Sequence, residues 1–411
     1  MPMGRRVFAS VALSCVLLAA PAVAQAAGLK ATQRALARQM RHAGRFSGAL
    51  VVDLSTGRTV YSLRPGWRRL PASVEKLYTS STALLQFGSA GRLDTTVLGD
   101  VGIAGDGTLA GNLYLRGGGD PTLSDASIAA IAAGLRAQGL RRITGGVIGD
   151  ASFFDPFRGP PSTGLATSID VGPLSGLDID HGFDGRHFQK DPPGFAAHAL
   201  GQALKRRGVR IALRSRASVT PSGAVPLLDW PSPAMADIVR LMNQPSDNFM
   251  AETLIKAIGA RFGGVGSTAA GAAVVRDTVA RLGVRPVVVD GSGLSRRDRT
   301  SPREVVSLLR TMLGLRSGTA FATSLAVAGQ SGTLELRMRR TAATGRCAGK
   351  TGTLHDVSNL AGYCTTLSGE RLAFAFLMNR IDPLYAHVLQ DRMTNAIAQY
   401  EPDSVVSASR R

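Results

Sequence analysis

Residues 71–78 read PASVEKLY, a short segment in which a serine and a lysine stand three positions apart. Good helix formers continue from Leu77 to Leu85, so we expect Ser73 and Lys76 to lie on the first turn of a helix. Side chains at this spacing are neighbours, with Cβ atoms about 5–6 Å apart. An amine that close to a hydroxyl can take its proton, which a serine nucleophile requires. The spacing predicts an activated serine, although a capped, solvated helix face gives the same pattern.

Two further motifs lie downstream. Ser246-Asp247-Asn248 precedes a predicted helix, and Lys350-Thr351-Gly352-Thr353 precedes a predicted hairpin turn at residues 354–356. Taken alone, Ser-Asp-Asn is typical of a helix cap. Ser-x-x-Lys, Ser-x-Asn and Lys-Thr-Gly in this order are, however, the set that penicillin-binding proteins and serine β-lactamases share.

The chain resembles one family in particular, the low-molecular-mass, class C penicillin-binding proteins of the D-Ala-D-Ala carboxypeptidase/endopeptidase type. Besides the three motifs, it contains four blocks similar to that family's: LRGGGDPTL at 115–123, NQPSDN at 243–248, DGSGLS at 290–295 and AGQSGTL at 328–334. The resemblance implies an α+β fold of the penicillin-binding-protein/serine β-lactamase type. In this fold an antiparallel sheet is flanked by helices, and here a second domain is inserted.

The resemblance also implies roles for the residues that form the acyl-enzyme. Ser73 is the expected nucleophile and Lys76 its general base. A neutral Lys76 requires a pKa well below the usual value of about 10.4, and burial beside a second cation, Lys350, is one way to supply that shift. Ser246 is expected to relay a proton to the leaving amine, and Asn248 to hold Lys76 and the substrate amide.

The Lys-Thr-Gly-Thr segment is expected to bind the substrate. Lys350 is expected to meet the C-terminal carboxylate of the substrate, with the Thr351 hydroxyl near the same group. Gly352 is expected to let the substrate backbone approach as an added strand. The backbone N–H groups of Ser73 and Thr353 are expected to form the oxyanion hole.

The order of predicted elements divides the chain into parts. Residues 1–26 read as a secretory signal peptide, with two arginines, an apolar run and a small-x-small cleavage site. Residues 27–92 and 235–411 are predicted to form one α+β peptidase domain, because strands from both ends share a sheet. Residues 93–234 are predicted to be an inserted domain that ends in a linker at Pro221–Pro233. The expected location is the periplasm or the cell-wall and extracellular space.

The composition is strongly basic, with a formal net charge of +19. Such a charge attracts polyanions, here anionic wall polymers or a membrane surface, although a merely solubilising basic surface has the same composition. Aromatic residues make up 5% of the chain, and no nucleic-acid motif stands out, so nucleic acid is not an expected partner.

Other candidate sites carry less weight. One loop contains five side chains of metal-binding type: Asp178, Asp180, His181, Asp184 and His187. Their spacing fits no metal motif, so we expect all five to be solvated. No metal or other cofactor is predicted. Asp120 and Ser292 are expected to fix turns near the cleft. Cys347 and Cys364 fall opposite each other on adjacent predicted strands, and a disulfide and two buried thiols both remain open.

The sequence therefore predicts a serine D,D-peptidase that hydrolyses peptidoglycan stem peptides through an acyl-Ser73 intermediate. It acts as a carboxypeptidase, an endopeptidase or both, and β-lactams are expected to acylate the same serine. One alternative is a serine β-lactamase, although the chain has no Glu-x-x-Leu-Asn loop and no Tyr-x-Asn in place of Ser-x-Asn. The other is an inactive wall-binding scaffold that keeps the fold.

Overall fold

The computed structural model describes residues 27–402, and the predicted signal peptide lies outside them. The helices are α1 (Leu29–His42), α2 (Lys76–Gln86), α3 (Asp125–Ala137), α4 (Pro192–Arg206), α5 (Met235–Asn243), α6 (Asn248–Phe262), α7 (Thr268–Arg281), α8 (Pro302–Leu313), α9 (Gly318–Thr323) and α10 (Pro383–Ala398). None of these helices, all within residues 27–402, has the length and apolar character needed to cross a bilayer.

The strands between the same limits are β1 (Gly48–Asp53), β2 (Thr59–Leu63), β3 (Asp94–Gly99), β4 (Thr108–Leu109), β5 (Leu113–Arg116), β6 (Arg142–Ile143), β7 (Val147–Asp150), β8 (Arg210–Ile211), β9 (Arg216–Ala217), β10 (Val225–Pro231), β11 (Ala326–Val327), β12 (Cys347–Leu354), β13 (Val357–Thr365) and β14 (Arg371–Asn379). Most predicted elements form within a few residues of their predicted bounds. α4 begins at Pro192, and Asp191 before it caps the helix by accepting a hydrogen bond from the Gly194 N–H.

Strands from the two ends of the chain meet in one antiparallel six-stranded sheet, in the order β11-β12-β13-β14-β1-β2. β1 pairs with β14, from Gly48 opposite Leu377 to Asp53 opposite Leu372. The sheet is buried on both faces, which explains why β14 is apolar almost throughout. α1 and α10 contribute to the core on one face, and α2, α5, α6, α7 and α8 to the core on the other. An antiparallel sheet flanked by helices is the predicted architecture.

The segment from β3 to β10 forms its own sheets and its own core. A five-stranded sheet has the order β10-β3-β5-β7-β9, and a short three-stranded sheet has the order β4-β6-β8. α3 and α4 pack with these strands around a separate apolar cluster. This topology supports our proposal that residues 93–234 form an inserted domain, with residues 27–92 and 235–411 as the peptidase domain.

The predicted linker at Pro221–Pro233 is wrong, because most of it forms β10. This strand pairs antiparallel with β3, with a register shift between Pro226 and Leu228. β10 lies at the edge of its sheet, where a proline without an N–H interrupts fewer hydrogen bonds than in a central strand. The prolines that suggested a linker are therefore compatible with an edge strand.

A buried ion pair fastens the long loop after β7 to the peptidase helices. Lys256 on α6 is almost fully buried, and its Nζ lies 2.7 Å from Asp155 Oδ1 and donates to the Phe157 carbonyl oxygen at 2.8 Å. Because an unpaired charge is costly to bury, this pair ties the start of the loop to α6.

A disulfide between Cys347 and Cys364 closes the β12–β13 hairpin at its open end. The two cysteines are direct partners across the antiparallel ladder and are separated by 17 residues in sequence. The hairpin that carries the Lys-Thr-Gly-Thr segment is therefore joined covalently as well as by hydrogen bonds.

We expect alkylation of the unfolded protein without reductant to leave Cys347 and Cys364 unlabelled, and alkylation after reduction to label both, as read by peptide mass mapping. Cross-linking a loop of this length contributes about 3 kcal/mol to the unfolding free energy. The Cys347→Ser/Cys364→Ser variant should unfold at lower urea, close to the reduced wild type. Labelling of both cysteines before reduction would contradict the bridge.

Candidate active site

Ser73 lies in a 3₁₀ turn, Ala72–Glu75, that runs directly into α2. The prediction that Ser73 and Lys76 share the start of a helix is therefore close, although the first turn is tighter than an α-helix. Ala72 has a φ of 46°, in the left-handed region that residues other than glycine rarely adopt. The surrounding structure must hold the turn in this conformation.

Two asparagines of the central sheet hold the chain just before this turn. Asn359 Nδ2 donates to the carbonyl oxygens of Leu70 and Pro71 at 2.9 and 2.7 Å. Asn379 Oδ1 accepts from the Leu70 N–H at 2.9 Å. The position of the turn that contains Ser73 is thus fixed by β13 and β14.

Gly352 is required by the same turn. A Cβ atom at this position would lie 2.6 Å from the Pro71 carbonyl oxygen and 3.0 Å from the Ser73 nitrogen. The sequence suggested that this glycine admits the substrate backbone. In the structure the close approach is between β12 and the turn that carries Ser73.

Lys76 is fully buried, and its Nζ has three hydrogen-bond partners. These are Ser73 Oγ at 3.0 Å, Asn248 Oδ1 at 2.7 Å and the Ser292 carbonyl oxygen at 2.9 Å. The amide and carbonyl oxygens can only accept. A neutral amine has two N–H groups and one lone pair, so with both N–H groups donated to these oxygens its lone pair faces the Ser73 hydroxyl. This is the geometry of a general base.

Burial lowers the pKa of Lys76 to about 8, while the carboxyl groups of Glu252 and Asp290 act in the opposite direction. Of the two causes that the sequence suggested, burial and a neighbouring Lys350, burial is the main one. Lys350 is fully buried too, and burial and then the charge of Lys76 hold its pKa well below the usual value. The charge of Lys76 thus disfavours a charge on Lys350.

Four buried carboxyl groups stand around the lysine. Burial raises the pKa of every one of them, to about 8 for Glu252 and to about 11 for Asp298. For Glu75 and Asp290 the pKa also lies above the usual range. One lysine charge cannot balance four carboxylates in a dry environment, so not all four groups are ionised near neutral pH.

Hydrogen bonds distinguish the members of this cluster. The two oxygens of Asp290 accept from the N–H groups of Gly293 and Ser295, both at 2.7 Å, which suits an ionised carboxylate. Neither oxygen of Glu75 has a hydrogen-bond partner within the part of the chain that the structure describes, which suits a neutral acid.

Glu252 holds the turn whose carbonyl oxygen meets Lys76. Its Oε1 accepts from the N–H groups of Gly291 and Ser292 at 3.1 and 2.8 Å. Ser292, expected only to fix a turn, thus contributes its carbonyl oxygen directly to the lysine. Helical spacing was the available signal for Glu252, since it lies four positions after Asn248 on the same face of α6.

Lys350 and its partners form the other half of the site. Its Nζ donates to Ser246 Oγ at 2.7 Å and to the Thr351 carbonyl oxygen at 2.9 Å. Ser246, predicted to relay a proton from Lys76, is thus hydrogen-bonded to Lys350 in this structure. Thr351 Oγ1 donates to Thr333 Oγ1 at 2.8 Å. We did not predict a role for Thr333, and its only signal was the AGQSGTL block.

One edge of β12 is open beside these residues. β11 pairs with Ala348 and Gly349, and residues 350–354 have no strand partner on that side within residues 27–402. Such an edge can accept an extended peptide as an added strand. Thr353, a predicted oxyanion-hole residue, lies within this unpaired stretch.

The inserted segment reaches the site through Asn248. Asn248 Nδ2 donates to the Asp170 carbonyl oxygen at 3.1 Å, which leaves its Oδ1 directed to Lys76. His181 stacks on Phe249 with ring centres 4.5 Å apart. Asp247 is the N-cap of α6, accepting from the Met250 N–H. The Ser-Asp-Asn motif is therefore a helix cap as well as a pair of candidate catalytic side chains.

The remaining polar residues of that loop hold local structure. Asp178 is buried rather than solvated as expected, because it lies beneath the tight turn at Asp180–Gly182. Asp184 accepts from the N–H groups of Arg186 and His187. Between residues 27 and 402 the structure has no cluster of side chains able to hold a metal ion. Asp120 fixes a turn by accepting from the Thr122 N–H and hydroxyl.

Because Lys76 must be neutral to accept a proton, we expect the rate of acylation by a β-lactam to rise as the pH increases through about 8. Glu252→Gln keeps an oxygen for the turn but removes a charge that raises the pKa of Lys76. The midpoint should therefore move to lower pH, by up to about one unit.

The matched control is Asp237→Asn, which removes an exposed carboxylate on α5 and should leave the midpoint unchanged. A Glu252→Gln enzyme with lower thermal stability but an unchanged midpoint would show that Glu252 acts on folding alone.

Comparison with known proteins finds similarity to one family along nearly the whole chain. A model of the D-Ala-D-Ala carboxypeptidase 3 (S13) family matches residues 29–183 and 186–400. The chain is 29% identical to a D-alanyl-D-alanine carboxypeptidase of an Actinomadura species, over 94% of this chain and 88% of that protein. It is 28% identical to Carboxypeptidase DacB of Mycolicibacterium smegmatis, over 81% of this chain and 76% of that protein.

Solved structures agree on the fold. Penicillin binding protein 4 of Haemophilus influenzae superposes with a TM-score of 0.77 at 21% identity, covering 89% of this chain and 99% of that one. A penicillin G-acylated predatory endopeptidase of Bdellovibrio bacteriovorus gives a TM-score of 0.57 at 17% identity, covering 86% and 92%. The predicted α+β fold of the penicillin-binding-protein type is confirmed.

Proposed function

The chain belongs to the D-Ala-D-Ala carboxypeptidase 3 (S13) family of serine peptidases, and we propose that Ser73 is the nucleophile with which it hydrolyses peptidoglycan stem peptides. The observation that carries the assignment is the hydrogen bond of 3.0 Å between Lys76 Nζ and Ser73 Oγ. In a neutral Lys76 the two N–H groups donate to Asn248 Oδ1 and the Ser292 carbonyl oxygen, so the lone pair is left for the Ser73 hydroxyl.

The proposed reaction begins with proton transfer from Ser73 Oγ to Lys76 Nζ while the oxygen attacks the carbonyl carbon of the penultimate residue. The negative charge that forms on the carbonyl oxygen is held by the backbone N–H groups of Ser73 and Thr353. Such a donor typically contributes a factor of about 10²–10³ to the rate. Collapse breaks the amide bond and leaves an acyl ester on Ser73.

The leaving amine needs the proton that Lys76 has taken. Ser246 is the proposed relay, and its hydrogen bond to Lys350 keeps its hydroxyl oriented. Water then attacks the ester while Lys76 accepts its proton. The bond between the acyl carbon and Ser73 Oγ breaks, Lys76 returns the proton to this oxygen, and the shortened peptide is released. No cofactor enters this scheme.

Substrate recognition is proposed to rest on β12. Its unpaired edge takes the stem peptide as an added strand, while Asn248 contacts the peptide amide. Lys350 and Thr351 meet the C-terminal carboxylate. A carboxylate arriving beside Lys350 favours the charged form of that lysine, which in turn disfavours charge on Lys76 and favours the base.

β-Lactams are proposed to acylate Ser73, because their strained amide can follow the first half of the same reaction. The penicillin G-acylated endopeptidase and a β-lactam complex of penicillin binding protein 4 are known for the similar proteins. We also propose export through residues 1–26 to the periplasm or wall space, where the basic surface attracts anionic wall polymers or membrane.

Ser73→Ala is expected to abolish product formation from defined muropeptides, read by mass spectrometry, and covalent labelling by penicillin. Loss of a terminal D-alanine from monomers would show carboxypeptidase action, and cleavage of cross-linked dimers would show endopeptidase action. Ser62→Ala, at an exposed position on β2, should retain both activities. Labelling that persists in Ser73→Ala would refute the nucleophile.

The same preparation tests the β-lactamase alternative with a chromogenic cephalosporin. A penicillin-binding peptidase should open the ring of one equivalent of cephalosporin by acylation and then stop, because its acyl-enzyme is long-lived. Sustained turnover would favour the β-lactamase.

Lys350→Met should remove the preference for a free C-terminal carboxylate. For the wild type we expect kcat/KM to be about 10–100-fold higher for a peptide acid than for the matching peptide amide, as a charge-assisted hydrogen bond would give. For Lys350→Met the two substrates should be nearly equal. A preference that survives the substitution would place carboxylate recognition elsewhere.

A further inference from the structure

A groove on the peptidase domain is lined by an unusual number of arginines. It encloses about 300 Å³, and we call it the arginine groove after Arg45, Arg68, Arg69, Arg296, Arg299 and Arg380. Asp356 is the only carboxylate in its lining, and two aromatic side chains, Phe46 and Trp67, complete the wall. The groove therefore combines a high positive charge with aromatic surface.

Part of this charge is neutralised within the protein. Arg296 forms an ion pair with Asp356 at 2.9 Å, and Arg68 forms one with Glu304 at 3.2 Å. Arg69 is buried, and all its described partners are backbone carbonyl oxygens, including those of Phe46 and Ser47.

The other three arginines of the groove, Arg45, Arg299 and Arg380, have no carboxylate within ion-pair distance among residues 27–402. Arg45 and Arg380 are exposed and lie against the same ring. Their guanidinium carbons are 4.8 and 4.1 Å from the centre of Phe46. Stacking on the ring holds two like charges near each other without a counter-ion. A bound anion would relieve this repulsion and receive N–H donors from both groups.

The groove borders the catalytic elements. Its lining includes Asn379, which holds Leu70 just before the Ser73 turn, and Asp356, in the turn that ends β12. The inserted segment contributes no residue to the lining. A ligand in the groove would thus lie beside the elements that position Ser73.

We propose that the arginine groove binds phosphate groups of a polyanionic chain, such as a phosphodiester polymer of the cell wall, and so holds the enzyme close to its stem-peptide substrate. Planar guanidinium groups donate paired hydrogen bonds to phosphate oxygens, and several of them in one groove match the repeated charges of a polymer. A concave groove suits a flexible chain better than the flat face of a bilayer. The inference rests on the proposed attraction to wall polymers and does not depend on the peptidase chemistry.

The test measures binding of fluorescent inorganic polyphosphate to the full-length protein at several salt concentrations. Arg45→Ala/Arg380→Ala should weaken binding about tenfold and reduce its salt dependence. The matched control is Arg206→Ala/Arg210→Ala, which removes the same charge from exposed positions of the inserted segment, and it should change affinity less than about twofold. Hydrolysis of a soluble stem peptide should be unchanged in both variants.

If both double variants weaken polyphosphate binding equally, the attraction is a general one to the basic surface, and the proposed role of the arginine groove is overturned. If Arg45→Ala/Arg380→Ala loses binding to phosphatidylglycerol vesicles but still binds polyphosphate, the proposal is likewise overturned in favour of a membrane contact. Binding is measured with and without prior penicillin treatment and should be the same. If penicillin does not label Ser73, the proposed peptidase function fails while the polyphosphate result still stands.

Discussion

Two lysine amines, those of Lys76 and Lys350, are excluded from water in one pocket, and much of the local structure serves to make this possible. Burying a charged group costs several kcal/mol unless partners compensate, so each amine has polar contacts supplied by several elements. The cost is also the source of the chemistry. The pKa of Lys76 falls to about 8, within reach of neutral pH, because its ammonium form is poorly solvated.

The buried carboxyl groups keep this shift within limits. Without them, burial would lower the pKa of Lys76 further and weaken it as a base. Glu252 and Asp290 oppose burial electrostatically and also fix the turn that presents the Ser292 carbonyl oxygen. Charge and geometry are thus supplied by the same side chains, which explains why one acid, Glu252, is buried in α6.

The inserted segment takes part in the site without supplying a candidate catalytic side chain. The Asp170 carbonyl oxygen fixes the orientation of Asn248, and the Lys256–Asp155 pair fastens the same loop to α6. We infer that movement of this loop would alter the hydrogen bonds of Lys76 through Asn248. The insertion and the nucleophile are therefore linked through one amide side chain.

The sequence alone was sufficient for the fold class, and it nominated most residues of the candidate site. The turn expected at residues 354–356 predicted the β12–β13 hairpin, since a turn depends on neighbours along the chain. The three motifs gave Ser73, Asn248 and Lys350 by residue type and spacing. The sequence misled at β10, whose prolines are tolerated at a sheet edge, and at Asp178, which is buried and not solvated.

Only the tertiary structure decided which partners each amine has and what shifts its pKa. Glu252, Thr333 and the Ser292 carbonyl oxygen come from segments far from Ser73 in sequence, and their contacts arise when the sheet and α6 pack together. Burial and electrostatic coupling depend on distances through space and on the exclusion of water. A linear sequence does not contain either quantity directly, so the charge balance around Lys76 became visible only in the folded chain.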